Sequence, residues 1–344
     1  MRSLYYTLGL GLSCLGLCTT NYASSDFEQS LGVGYFQLFN VKTSYGAQSA
    51  SLPSLGALSN RIYLDGYNSV DSSNDVGEGG AGLASRTGNF GYQSNSQVNT
   101  SAGTLALHNY TLPSGSYFST GNQNGKASFE VNYKLSLKSN NPFKLGLELR
   151  AADVSFNATS TSSAAANLNL VTDTYQLGGV VPPVAPYSGP YTVTAFTPRI
   201  GDTPTRSTQS VTGTDQGTRS LSLKGTLMRL GGTAKWVYED KSSLEIHGGP
   251  ASISLSGNYS LKESFSSSSI SGALNVAGAG SRNKQILGYY YGATADLKVS
   301  DHWRVSAGLD FVNLGHDTLS GSTSYARVDL TQAMTVHGDL SYRF

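Results

Sequence analysis

At 344 residues the chain has room for one large domain or two medium ones, yet only 13% of it is charged and only 38% hydrophobic. Gly (40) and Tyr (21), with Ser, Thr and Asn, fill the difference. No apolar run reaches the ~18 residues of a membrane-spanning helix, and a net charge of +1 excludes an electrostatic nucleic-acid binder.

The chain opens on an export signal. Met1-Arg2 is a positive start, 7–18 a short apolar core, and Ala23, Ser24 and Ser25 the small residues of a cleavage site, which predicts a signal peptide over 1–24. Both cysteines, Cys14 and Cys18, fall inside it, so the mature chain carries no disulfide framework into an oxidising compartment.

Residues 31–41 are the first predicted spanning strand, with Leu31, Val33, Tyr35, Phe39 and Val41 on one face and Gln37 interrupting it. Residues 42–125 are too polar and too rich in Gly, Ser and Asn to span, and read as a long outer loop; within it 104–112 has the pattern of a strand in need of a partner. Alternation with a period of two is cleaner from residue 126. Over 126–137, Phe129, Val131, Tyr133, Leu135 and Leu137 point outward with Glu130 and Lys134 inward, and Ser139-Asn140-Asn141-Pro142 makes a tight turn. Over 144–156, Leu145, Leu147, Leu149 and Ala151 point outward with Glu148 and Arg150 inward. A second long loop, 159–216, holds six of the ten prolines, which cannot donate to a ladder and so are not barrel wall.

Residues 218–238 place Leu221, Leu223 and Leu227 outward, then Ala234, Trp236 and Tyr238, a change of parity that predicts a bulge near Met228-Arg229. A second change over 244–265 predicts another near Gly248-Gly249-Pro250. After a Ser/Gly/Ala loop, 266–282, the alternation resumes over 286–299 and 303–319, and a turn near Gly321 leads to a last strand, 322–344. That strand ends MTVHGDLSYRF, with Met334, Val336, Gly338, Leu340, Tyr342 and Phe344 on one face and Thr335, His337, Asp339, Ser341 and Arg343 on the other. An apolar face opposite a charged one describes a strand between lipid and a polar lumen; the alternative for this strand alone is the edge of a soluble sandwich.

Eight strands result, their connections alternating between short turns and long loops, as in barrels with short periplasmic turns and long outer loops. Trp236, Tyr238 and Trp303 sit beside short turns and Tyr289 and Tyr291 near the opposite rim, the spacing of two interfacial girdles. The predicted fold is all-β, a closed antiparallel up-and-down transmembrane β-barrel over 25–344, of eight strands, or of ten to twelve if 42–125 supplies more. This layout resembles the OmpA/OmpX/opacity-type eight-stranded outer-membrane proteins. The closing strand resembles those of bacterial outer-membrane barrels, whose terminal Phe and third-from-last Tyr are read by the insertion machinery. The resemblance implies that Phe344, Tyr342 and Leu340 form a C-terminal insertion signal, and that outer-membrane lipid, lipopolysaccharide and the insertion machinery are partners. Asp65-Gly66-Tyr67 and Asn89-Phe90-Gly91-Tyr92-Gln93 also look like part of a poorly characterised bacterial outer-membrane family, which implies no activity.

An eight-stranded barrel has an interior that side chains fill. The predicted inward ions are Glu130, Lys134, Glu148, Arg150, Lys224, Asp296, Arg304, Asp310, Arg327, Asp329, Asp339 and Arg343, of mixed sign and so able to pair; they form a structural core or line a narrow conduit. His316-Asp317 beside an outer loop, and Glu245 with His247 on one strand face, are the candidates for hydrolytic chemistry, but no spacing resembles that of the outer-membrane phospholipases, deacylases or proteases. The G-x-G-x-x-G match at 77–82 has no strand-then-helix context, and Asp71, Asp75 and Glu78 read as a solvated acidic loop or a surface cation site. No catalytic residue, cofactor, metal or nucleic-acid partner is expected. The expected function is that of a non-enzymatic outer-membrane barrel with a charge-filled interior and long loops, for envelope structure or adhesion to an unidentified extracellular ligand. A small porin and an outer-membrane hydrolase acting on lipid or peptide are the alternatives.

Overall fold

The computed structural model describes residues 27–47, 51–56, 59–69, 86–113, 117–138, 141–179, 181–189, 198–239 and 241–344. The predicted signal peptide, the glycine motif at 77–82, the acidic cluster of Asp71, Asp75 and Glu78, and the turn residues Ser139 and Asn140 lie outside the described residues.

Alternating segments pair with alternating segments. The strands are β1 (Phe27–Phe39), β2 (Ser128–Leu137), β3 (Phe143–Gln176), β4 (Thr205–Tyr238), β5 (Ser242–Ser266), β6 (Ala273–Lys298), β7 (Trp303–Asn313) and β8 (Ala333–Arg343). Each pairs antiparallel with the next, and β8 pairs back onto β1, so the ladder runs round a ring of eight strands, not ten or twelve. Phe129, Leu145, Leu147, Ile246, Leu287, Leu297, Leu309 and Leu340 are exposed on its outside. From Leu287 to Leu297 this belt rises about 25 Å, taking ~3.3 Å per residue and a tilt of ~40°, which is the height of a lipid-facing apolar band. Trp236, Tyr238 and Trp303 are exposed at the turn end, and Tyr289 and Tyr291 at the other margin.

Strands β3 and β4 run 34 residues each, β5 25 and β6 26, against the ~9–11 that crossing requires. The excess stands beyond the belt as a tower. This corrects the reading of 159–216 and 266–282 as loops: 159–176 and 205–216 are the far ends of β3 and β4, and only 267–272 joins β5 to β6. The other four ring strands break where the tower begins. His316–Ser320, Ser324–Asp329, Val41–Ala47 and Tyr117–Gln123 form a separate sheet in that order, repeating β7, β8, β1 and β2 beneath it. Asn40 (φ 59°) and Gly315 (φ 73°) take left-handed backbone at two of the breaks, a conformation that suits glycine best. These two breaks reverse which residues face inward. Phe36 and Leu38 are buried before Asn40 but Val41 and Tyr45 after it, and Asp310 and Val312 before Gly315 but Asp317 and Leu319 after it. The segments 303–319 and 322–344, each expected as one strand, are therefore each two.

The two predicted bulges are absent. Pairing of β4 with β5 keeps one register from Thr214↔Ser266 to Tyr238↔Ser242, and β5 with β6 from Ser242↔Leu297 to Ser266↔Ala273. The β4–β5 ladder lapses only opposite Gly249-Pro250, where proline has no N–H to donate. What changes at this height is the chemistry of the interior. Odd residues of β4 face inward from Gly213 to Lys235, with Lys235, Thr233 and Arg229 in the belt and Leu227, Leu223 and Leu221 in the tower. Strands β3 and β5 make the same exchange, from Glu148, Arg150, Glu245 and His247 to Val154, Phe156, Ile253 and Leu255. In the belt the outside must suit lipid, so ions go inside; in the tower the outside meets water, so apolar side chains go inside. Lys224, predicted inward, is consequently exposed on the tower's outer face. Arg327 and Asp329 also face outward there, because the reversal below them gives the inside to Ala326 and Val328.

A cap tops the tower. Thr104–Thr111, expected to need a partner, pairs with Asn169–Gln176 of β3. Arg61–Tyr63, Gly66–Asn68, Phe90–Tyr92 and Tyr187–Ser188 form a small sheet over a core of Tyr63, Phe90, Tyr92, Leu105, Leu107, Tyr175 and Ile200. The described residues of 42–125 are thus largely built into the tower and the cap.

Candidate functional site

The belt interior is assembled around two fully buried arginines. Arg150 of β3 donates to Glu130 Oε1 at 2.8 Å, to Glu148 Oε2 at 2.9 Å and to Asp339 Oδ2 at 3.4 Å. Arg229 of β4 pairs with Glu130 and Asp310, and its guanidinium carbon lies 5.4 Å from the Phe36 ring centroid and 5.7 Å from that of Tyr290. It therefore joins the ionic layer to the apolar one above, through a cation–π contact on desolvated rings. Tyr290 donates to Glu148 Oε1 at 2.8 Å and Thr335 to Asp310 Oδ2 at 3.0 Å. His247 Nε2 is 2.6 Å from Asp310 Oδ1, and His337 Nε2 3.1 Å from Thr294 Oγ1. Nearer the turn end, Lys134 donates to Glu245 Oε1 at 2.5 Å, and Lys235 pairs with Asp296, which also accepts from Ser243 at 3.1 Å. At the mouth, Glu28 accepts from Lys144 at 2.8 Å and from Arg343 at 3.0 Å, with Arg304 lining the same cavity.

Of the twelve predicted inward ions, Glu130, Lys134, Glu148, Arg150, Asp296, Asp310 and Asp339 come together in the belt interior, and Arg304 and Arg343 at its mouth. Lys224, Arg327 and Asp329 do not join them. Arg229 and Lys235 complete the cluster unpredicted, together with His337, expected only as part of the polar face of the last strand, and Glu245 and His247, expected only as a pair on one strand face. The outward Ala234, Trp236 and Tyr238 already implied an inward Lys235, whereas the bulge inferred at Met228-Arg229 concealed the side of Arg229. Among the hydrolytic candidates, His316 is exposed on the tower while its neighbour Asp317 is buried and accepts from Lys284 at 3.1 Å. Phe344 and Leu340 are exposed beside β1, and the Phe344 N–H donates to Gln29 O at 3.0 Å. The Tyr342 ring lies 5.1 Å from that of Trp303 and 5.3 Å from that of Phe344.

A second ionic group sits high in the tower, among apolar neighbours. Arg219 donates to Glu263 at 2.6 Å and 3.1 Å and to Asp215 at 2.6 Å. Burial, and the Asp215 carboxylate beside it, push the Glu263 carboxyl up to about 7 against the pull of Arg219. In the cap, Arg206 holds both oxygens of Asp173 at 2.7 Å, and Tyr63 donates to the same carboxylate at 2.7 Å. Gly66–Asn68 and Phe90–Tyr92, from the two segments singled out in the sequence, pair directly with each other. Asp65 fastens them by accepting from the His108 N–H at 2.8 Å.

A ring of antiparallel strands with an apolar outer belt, two aromatic margins and an ionic interior has the architecture of an outer-membrane β-barrel. Neither a protein-family model nor a curated protein matches the sequence. Among solved structures, the outer-membrane protein OprG of Pseudomonas aeruginosa is similar at 9% identity and a TM-score of 0.34, over 92% of this chain and 96% of that one. The outer-membrane protease OmpT of Escherichia coli aligns at 9% identity and a TM-score of 0.30, over 95% and 99%. The attachment invasion locus protein Ail of Yersinia pestis, solved with the heparin analogue sucrose octasulfate, aligns at 11% identity and 0.27, over 93% and 99%. At that level of similarity, what this chain does must be read from its own residues.

Proposed function

We propose that the protein is a non-enzymatic outer-membrane barrel that holds a folded β-cap above the cell surface, where the cap serves envelope structure or the binding of an extracellular ligand. The observation that carries this reading is the filled interior. Ion pairs close the belt, and Leu221, Leu223, Leu227, Ile253, Leu255 and Phe156 fill the tower above them. A solute crossing the ring would have to displace both layers. Insertion through Phe344, Tyr342 and Leu340, and contact of the belt with outer-membrane lipid and of the tower with lipopolysaccharide, belong to the same proposal.

Purified protein reconstituted in planar bilayers is expected to give no discrete conductance steps, and steady single-channel openings would favour the porin instead. The hydrolase alternative requires that changing His247 or His316 to Ala abolish turnover of a lipid or peptide substrate. The expected result is that neither change alters any such turnover in membranes carrying the protein.

A further inference from the structure

The belt interior is short of positive charge. Five buried carboxylates, of Glu130, Glu148, Glu245, Asp310 and Asp339, surround three permanent cations, Lys134, Arg150 and Arg229, while Lys235 and Asp296 match each other. An unmatched buried charge is expensive, so two positive charges must come from elsewhere.

His247 Nδ1 and Glu245 Oε2 are buried and have no hydrogen-bond partner. His247 Nδ1 stands 3.8 Å from Glu245 Oε1 and 4.0 Å from Glu148 Oε1, too far for a hydrogen bond. One ligand atom from each of Glu148, Glu245 and His247 lies within 4.8 Å of the others. Two ligands that each sit ~2.0–2.2 Å from one ion are separated by up to about 4 Å, so the gaps of 3.8 Å and 4.0 Å from His247 Nδ1 have the width a shared cation spans.

The imidazole is also set for ligation. Its Nε2, 2.6 Å from Asp310 Oδ1, carries the proton of that hydrogen bond and leaves the Nδ1 lone pair for a metal, as where a carboxylate orients a metal-ligating histidine. Gly292 permits this arrangement, since a Cβ there would meet Asp310 Oδ1 at 2.2 Å and His247 Nε2 at 2.8 Å. Lys134 holds Glu245 by Oε1 and leaves Oε2 unengaged.

We propose that Glu148, Glu245 and His247 bind one divalent cation of the zinc class, with Asp310 positioning the histidine. One such ion supplies both missing charges at a single point, where otherwise His247 and His337 must each carry a proton. A cavity of about 40 Å³ leads from the turn-end mouth to Glu245, but it is lined by Lys134, Lys144, Lys235, Arg304 and Arg343. These repel a free cation, so the ion is taken up as the barrel folds and exchanges slowly afterwards.

The test is to refold the chain in detergent with Zn²⁺ or Co²⁺, strip loosely held ions on a chelating resin and count the metal per folded chain. Folding of each variant is verified by its heat-modifiable gel mobility. The expected result is one ion per chain, a visible ligand-field band for Co²⁺, loss of both in His247→Gln and Glu245→Gln, and full retention in His316→Ala. Folded wild-type protein that holds no metal overturns the proposal and assigns the missing charge to protons. Retention of the ion by folded Glu245→Gln overturns it equally, and that variant decides the matter if His247→Gln does not fold.

Discussion

Arg150 shows how much one residue carries when ions are packed inside a lipid-facing ring. It bonds to three carboxylates from three strands, and its side chain is fully buried. Arg150→Met leaves Glu130, Glu148 and Asp339 with less compensation, and a loss of about 3–5 kcal/mol is expected in urea unfolding followed by heat-modifiable mobility. Glu263 makes a different prediction, about pH. Its folded-state value of about 7 lies above its ordinary 4.5, so the stability it contributes is complete below about 4.5 and is lost as pH rises through 7. Thermal melts are expected to show a more stable tower at pH 5 than at pH 8, by on the order of 2 kcal/mol after allowance for solvent screening. Glu263→Gln should flatten that slope; an unchanged slope would place the titrating group elsewhere.

At the scale of the strand, the alternation was legible and the side facing inward was not always so. A period of two locates a strand and divides its faces, and it placed all eight ring members. It does not say which face is inside once the surroundings change from lipid to water partway along. Leu227 and Leu230 make the point: both are leucines of β4, yet Leu227 is fully buried in the tower and Leu230 is 54% exposed on the belt. The sequence read this change of apolar parity as a bulge, whereas the unbroken β4–β5 register shows that the interior itself changed character. Leu227→Ala is expected to cost about 2–5 kcal/mol by opening a cavity, while Leu230→Ala in lipid should cost much less. Urea titration of the two variants in one detergent checks the contrast. Lys224→Leu, on the wet outer face, should insert and fold normally. The long outer connections were illegible for another reason. Several of their strands pair with segments far away in sequence, as Phe90–Tyr92 does with Tyr187–Ser188 and Arg86–Thr87 with Ile200–Gly201, and no local pattern records a partner that distant.

The whole molecule is a filled column with a cap. Protease added to intact cells is expected to cut only beyond the belt, and to spare the short turn at 299–302 between β6 and β7; cleavage there would show that the column stands the other way up. Its wall is uneven. Four neighbouring strands pass from belt to tower without interruption, and the other four are jointed near Asn40, Gly125, Gly315 and Thr331. Under a sideways load at the cap, such a column behaves as a leaf spring with one continuous flank and one articulated flank. It should bend toward the articulated flank, and the tension of a tethered object would reach the membrane mainly through β3 to β6.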